Sequence, residues 1–391
     1  MFSWAPSARF LYATLMTSGA ANAWRLRMDD GLRVTALDRL TTGPGADWAP
    51  RVSRDGNSLL FSTITGDSRL WSFPLDPVAG KAPVTGDPLS EEDGEVNWAS
   101  LSADGLRLAY FYRPLNSALQ QSELRLFSAP FREPSETVSA DRYVRMASAW
   151  SRSGDRLALQ AAELSSSGTP LNNVVLIRGR DGSEQVIARC QAAEGQTCTI
   201  APMDWTPDDT AILTASRLGG ERTTKLSVWP VSVAIPSETP RATLVSDSQW
   251  SVTSARYSPD GRWVAFAYGT AFRDEKGIAV APASGQVERA AWRSIAEGFE
   301  EIGNPQWSAD GRFVYFTSSH TDRWLNVWRV QIASSTGSQV GSPSKVTAFD
   351  SARFFLLSRT YYPTIAVGPD RLVLPMNSQQ SAVWMLDNVD R

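Results

Sequence analysis

One hairpin recurs along the chain about every fifty residues, and that repeat governs what the sequence can fold into. Each copy opens with a short apolar strand, turns at Ser-x-Asp-Gly or a near variant, and continues into a second apolar strand. A loop and a third strand, often carrying Trp, follow. The clearest copies read "LSADGLRLAY", "YSPDGRWVAF" and "WSADGRFVYF". The turn glycine or its equivalent falls at Gly56, Gly105, Gly154, Asp209, Gly261, Gly311 and Asp370. In such a turn Asp bonds back to the backbone, Gly takes a positive φ, and Pro, where present, fixes φ at the second position. The residue just before the turn is large: Trp150, Trp205, Tyr257 and Trp307, with Val52 and Leu101 elsewhere. It is placed to plug the space between stacked sheets, none of which can bury both faces alone.

The stretch from Trp4 to Met28 admits two readings. As a signal peptide it offers Arg9, a short apolar run from Phe10 to Met16, and small residues at Ala20-Ala21-Asn22-Ala23. As a blade it aligns with the copy at 307–332: Trp4 on Trp307, Arg9 on Arg312, Phe10 on Phe313, Tyr12 on Tyr315 and, after a one-residue gap, Asn22, Trp24 and Arg25 on Asn326, Trp328 and Arg329. A signal peptide has no reason to reproduce a blade motif, so the segment is read as folded strand. That brings the hairpins to eight. The expected architecture is all-β: a β-propeller of seven or eight blades in one domain over 1–391, with helix nearly absent. The final sheet is expected to have three strands, Ile365–Val367, Leu372–Leu374 and Val383–Leu386, with a frayed outer edge. No outer strand follows it, and Met1 lies inside the first strand of the first copy, so the chain also reads as one that could be truncated at its N-terminus.

Bulk composition narrows the function classes. Hydrophobic residues make up 42% and charged residues 20%, which excludes a disordered chain. No apolar run approaches the ~20 residues of a membrane-spanning helix. A net charge of -3 offers no general basic character for nucleic acid. Cys190 and Cys198 are the two cysteines; eight positions apart, they can form one local disulfide or remain two packed thiols. They cannot complete a zinc site with the single His320, far away in sequence.

Catalytic motifs are missing from the sequence. It has no Gly-x-Ser-x-Gly elbow and no phosphate-cradling Gly-x-x-x-x-Gly-Lys-Ser/Thr, so no catalytic residue, metal or cofactor is assigned. His320 is expected on an exposed loop without partners, and Glu91-Glu92-Asp93 and Glu300-Glu301 read as solvated loop carboxylates. The Ser-x-Asp-Gly acids are turn residues, since they repeat in nearly every copy. Loops leading into the innermost strands surround a propeller's channel mouth. Trp48, Asn97, Trp98, Asn304 and Tyr362 fall there as candidate binding residues, with packing between blades as the competing role for the tryptophans.

The hairpins "YSPDGRWVAF", "WSADGRFVYF" and "LSADGLRLAY", with outer connections such as "VAGKAPVTGDPLS", resemble the repeat of TolB-like, WD-repeat-like bacterial propellers over essentially the whole chain. Pro6-Ser7-Ala8, Asp208-Asp209 and Pro369-Asp370 depart from the turn motif. Relatives of this kind occur C-terminal to kinase or winged-helix DNA-binding domains, neither of which is present here. The resemblance is specific for fold and nearly silent on activity. The missing histidine cluster and the missing hydrolase domain favour a non-enzymatic binding, scaffold or sensor module for a protein or small ligand. The alternative is the propeller part of an enzyme, either a polysaccharide lyase or the gate of a serine peptidase. A lyase of that type holds its metal with several histidines, and this chain has one. Localisation stays open, with the resemblance and the close cysteine pair favouring an extracytoplasmic, periplasmic site.

Overall fold

The repeated turn folds the same way in the copies at Gly56, Gly105, Gly154, Asp209, Gly261 and Gly311. In the copy at Gly105, Ser102 N–H donates to the Arg107 carbonyl, and Gly105 N–H returns to the Ser102 carbonyl. The Ser102 hydroxyl donates to Asp104 and accepts from Arg107 N–H. Gly105 sits at φ 70°, where a side chain would be strained. Two of the departures pay that strain: Ala8 and Asp209 adopt φ of 55° and 56°.

The computed structural model describes residues 2–17, 20–43, 45–90, 94–114, 122–141, 143–165, 170–190, 198–232, 235–270, 275–320, 323–351, 353–356 and 365–389. The first four strands, β1 (Phe2–Trp4), β2 (Phe10–Thr17), β3 (Ala20–Met28) and β4 (Val34–Arg39), form one antiparallel sheet, so Trp4 to Met28 is blade-like here. Next come β5 (Ala46–Val52), the long β6 (Ser58–Pro74) and the short β7 (Asp87–Pro88). Five four-stranded blades then follow in sequence. They are β8–β11 (Gly94–Leu101, Arg107–Pro114, Glu123–Ser128, Glu136–Ser139) and β12–β15 (Tyr143–Trp150, Arg156–Leu164, Pro170–Gly179, Glu184–Cys190). The next two are β16–β19 (Thr199–Trp205, Ala211–Arg217, Lys225–Pro230, Ala242–Val245) and β20–β23 (Ser251–Tyr257, Trp263–Gly269, Glu275–Pro282, Arg293–Glu297). The fifth is β24–β27 (Gly303–Trp307, Phe313–Ser318, Asn326–Ile332, Gln339–Lys345). The chain finishes with β28 (Phe355–Leu356), β29 (Ala366–Val367) and β30 (Arg371–Asp387). Helix among the described residues is one 3-10 turn, Arg289–Ala291.

All eight hairpin units become strands of blade-like sheets, but they do not share one ring. The innermost strands β8, β12, β16, β20, β24 and β29 neighbour one another cyclically, which closes a ring of six. The sheet β1–β4 packs instead on β5 and the start of β6, through Tyr12, Ala23, Leu59 and Val389.

What joins the pair of sheets to the ring is an exchange of strands. The repeat predicts a loop between the second and third strands of the copies that turn at Gly56 and Asp370. Neither loop forms. β6 and β30 each run straight for 17 residues and pair antiparallel along their whole length, from Ser58↔Asp387 to Pro74↔Arg371. Pairing the two would-be loops with each other gives their backbone groups ladder partners. Ser58–Ile64 and Ser381–Asp387 therefore extend the sheet of β5, while Ser68–Pro74 and Arg371–Asn377 lie in the ring. The closing blade reads β29, the start of β30, the end of β6, then β7. It is four-stranded, where a three-stranded sheet is expected of the C-terminus. Its side chains alternate between neighbours: Leu372, Leu374 and Phe73 pack toward the blade of β24–β27, whereas Val373 and Leu70 pack toward that of β8–β11.

The large residue before each turn is the inter-blade plug. Trp150, Trp205 and Trp307 donate their indole N–H to the Ser100, Ala149 and Arg256 carbonyls of the preceding blade, at 3.2, 2.9 and 3.1 Å. Cys190 and Cys198 are joined in a disulfide, with Cα atoms 5.9 Å apart.

Candidate functional site

Each innermost strand described above except the short β29 carries a register shift near its end, in the ring between Asn97 and Ser100, Met146 and Ser148, Pro202 and Asp204, Thr253 and Arg256, and Gly303 and Gln306. Such bulges re-aim the residues that follow. Here those residues face the channel. Ser100, Ala149, Asp204, Arg256, Gln306 and Ala366 occupy the same position, immediately before the plug residue or its equivalent, and all six line one cavity of about 160 Å³.

The walls of that cavity bear three charged side chains among the described residues: Arg152, Asp204 and Arg256. Asp204 is held from all sides. Its Oδ1 accepts from the Trp205 N–H at 2.9 Å, and its Oδ2 accepts from the Tyr257 N–H at 2.9 Å and from Arg152 Nη2 at 3.1 Å. Arg152, the variable residue of its turn, also donates Nη2 to the Tyr257 carbonyl at 3.2 Å. Arg256 donates Nη1 to the carbonyls of Met203 and Ala255, and Nε to Gln306 Oε1 at 3.2 Å. Burial holds the Arg256 guanidinium below its usual range, opposed by the attraction of Asp204 and reinforced by repulsion from Arg152. Burial, then the Asp204 carboxylate, pushes the Tyr257 phenol up. Arg152 Nε and Gln306 Nε2 are both buried donors without an acceptor.

The residues expected at the channel mouth are dispersed. Trp48 lies on β5, in the sheet pair outside the ring. Asn97 and Trp98 lie on β8; Trp98 takes φ 54° at the bulge and packs edge-on against Phe111. Asn304 is also a bulge residue, at φ 57°, and its amide donates to Thr317 Oγ1 at 3.1 Å. Tyr362 lies outside the described residues, as do Glu91, Glu92 and Asp93. Trp48, Asn97, Trp98 and Asn304 do not line the cavity. His320 is half-buried rather than exposed, stacked on Phe299 at 4.0 Å and edge-on to Trp328. The signal for Asp204, Arg256 and Gln306 was present in the repeat: a charged or amide side chain directly before the aromatic that precedes the turn.

Antiparallel blades in a closed ring about a central channel define a β-propeller. No protein-family model matches the sequence, and no curated protein does either. Among solved structures the fold is similar to that of a putative TolB from Agrobacterium tumefaciens, with a TM-score of 0.52 at 14% identity over 80% of this chain and 99% of that one. TolB from Acinetobacter baumannii (TM-score 0.47, 12% identity, 95% of this chain and 81% of that one) also matches. So does an oligogalacturonate lyase in complex with manganese (TM-score 0.42, 14% identity, 85% and 89%). At these identities the likeness is one of fold alone. No helix among the described residues is long and apolar enough to cross a membrane.

Proposed function

We propose that the chain is a non-enzymatic binding propeller that takes its ligand, a protein segment or a small molecule, at the channel cavity. The observation that carries this reading is the convergence there of fixed donors from three blades: Arg152, Arg256 and Gln306. Groups held in place before a ligand arrives spare the entropy of ordering them on binding. The Cys190–Cys198 disulfide supports an extracytoplasmic location.

Blocking the mouth tests the reading. Ala103 and Ala309 are exposed turn residues on the cavity rim, so a Trp at either position fills the opening without disturbing the core. Ligands captured from host extract by the parent chain should be lost by Ala103→Trp and Ala309→Trp. Equal capture by both variants would move the binding surface elsewhere.

A further inference from the structure

We infer that the channel cavity is a subsite for a single carboxylate group of the ligand, a specification that rests on the binding function proposed above. The charge count comes first. Two guanidinium groups, Arg152 and Arg256, face one carboxylate, Asp204, so the walls carry one excess positive charge. Asp204 has both oxygens engaged by Trp205, Tyr257 and Arg152, and it makes no hydrogen bond to Arg256. Arg256 is left with neutral partners alone, the Met203 and Ala255 carbonyls and the Gln306 amide oxygen. Two guanidinium groups thus share one counter-charge, and one monoanion brings the walls to neutrality.

The unmet hydrogen bonds match the charge. Arg152 Nε and Gln306 Nε2 are donors that lack acceptors. The Gln306 amide cannot be turned to relieve this, because its oxygen is held by Arg256 Nε, which can only donate. Both orphaned groups call for an acceptor, and an ionised carboxylate offers acceptors only. Space agrees: the cavity is about 160 Å³, and one of roughly 150 Å³ suffices to hold benzene, a bulkier group than a carboxylate on a short stem.

The carboxylate can belong to a small organic acid or to the end of a peptide. Thermal unfolding at constant ionic strength separates these cases, since a ligand that binds the folded state raises Tm. Acetate should raise the Tm of the parent protein, and acetamide, its neutral isostere, should not. Arg256→Gln and, as a milder change, Gln306→Leu should remove the acetate response. Arg113→Gln, off the cavity walls, should keep it, with circular dichroism reporting that each variant is folded. A hexapeptide with a free C-terminus that binds at least tenfold more tightly than acetate, while its C-terminal amide does not, assigns the group to a chain end. Equal affinity for acetate and the free-acid peptide assigns it to a small acid. A response to acetamide equal to that of acetate, a larger response to inorganic phosphate, or no response to acetate overturns the carboxylate assignment. In each of those cases loss of captured ligand in the Trp-blocked variants would still uphold the binding function.

Discussion

The Trp205 indole N–H donates to the Ala149 carbonyl of the preceding blade at 2.9 Å, and both groups are buried. Trp205 is fully enclosed, with Arg156 stacked over its ring. Trp205→Phe keeps most of the apolar contact and removes this hydrogen bond between blades. The expected loss is about 0.5–1.5 kcal/mol of stability, read from urea unfolding.

Asp204 neutralises Arg152 and caps two backbone N–H groups from different blades. Asp204→Asn keeps the shape but removes the charge from a largely buried pair. The expected cost is about 3 kcal/mol, the scale for breaking such a pair from one side. Chemical denaturation of the variant beside the parent measures it. A change under about 0.5 kcal/mol, the usual range of surface substitutions, would mean solvent already screens the pair.

Gly66 sits where β6 leaves the ring for the outlying sheets. A Cβ there would lie 2.7 Å from the Ser378 carbonyl oxygen of the paired strand, which is backbone and cannot swing aside. Gly66→Ala should cost about 1–3 kcal/mol by overpacking. Gly43→Ala, whose Cβ meets nothing within 4 Å, should cost nothing comparable. Differential scanning calorimetry of the two variants gives the comparison.

The turn carboxylates respond to acid with a definite sign. The Ser102 hydroxyl, then the Leu106 N–H, holds Asp104 below its ordinary value of 3.8. Thr206 and Thr210 do the same for Asp208. A carboxylate depressed in the folded state contributes stability above its unfolded value and loses it as pH falls through the folded one. Stability should therefore decline below pH 3.8. Ser102→Ala should be less stable than the parent at pH 7, and the gap should narrow as Asp104 becomes protonated. A pH series of urea midpoints follows both.

The repeat made the blades legible because each turn is a local device: Ser102, Asp104 and Gly105 act within a few residues of one another. The plug role of Trp150, Trp205 and Trp307 was legible for the same reason, since it recurs at one position of the motif. The pairing of β6 with β30 was not, because opening two hairpins to join them leaves the local pattern of each unchanged. The channel residues escaped notice through the bulges. A one-residue offset such as that between Pro202 and Asp204 changes which side chains face the channel, and strict alternation does not reveal it. Trp98 and Asn304 drew attention as an exposed aromatic and an amide, whereas both occupy the bulge itself.

The strand exchange also sets an order of events during synthesis. Ser58 and Asp387, bonded side chain to side chain, are 329 positions apart in sequence. As a ribosome delivers the chain, Leu70 and Phe73 emerge early, yet the strand they pair with, Arg371–Asn377, comes after the five intact blades have been made. Those blades can fold one by one as they appear, while the ring waits for its last strand. Until then β6 is a long strand with an open ladder, the kind of segment that pairs with the wrong neighbour. The last step of maturation is thus the capture of an early strand by a late one, a slow closure across nearly the whole chain.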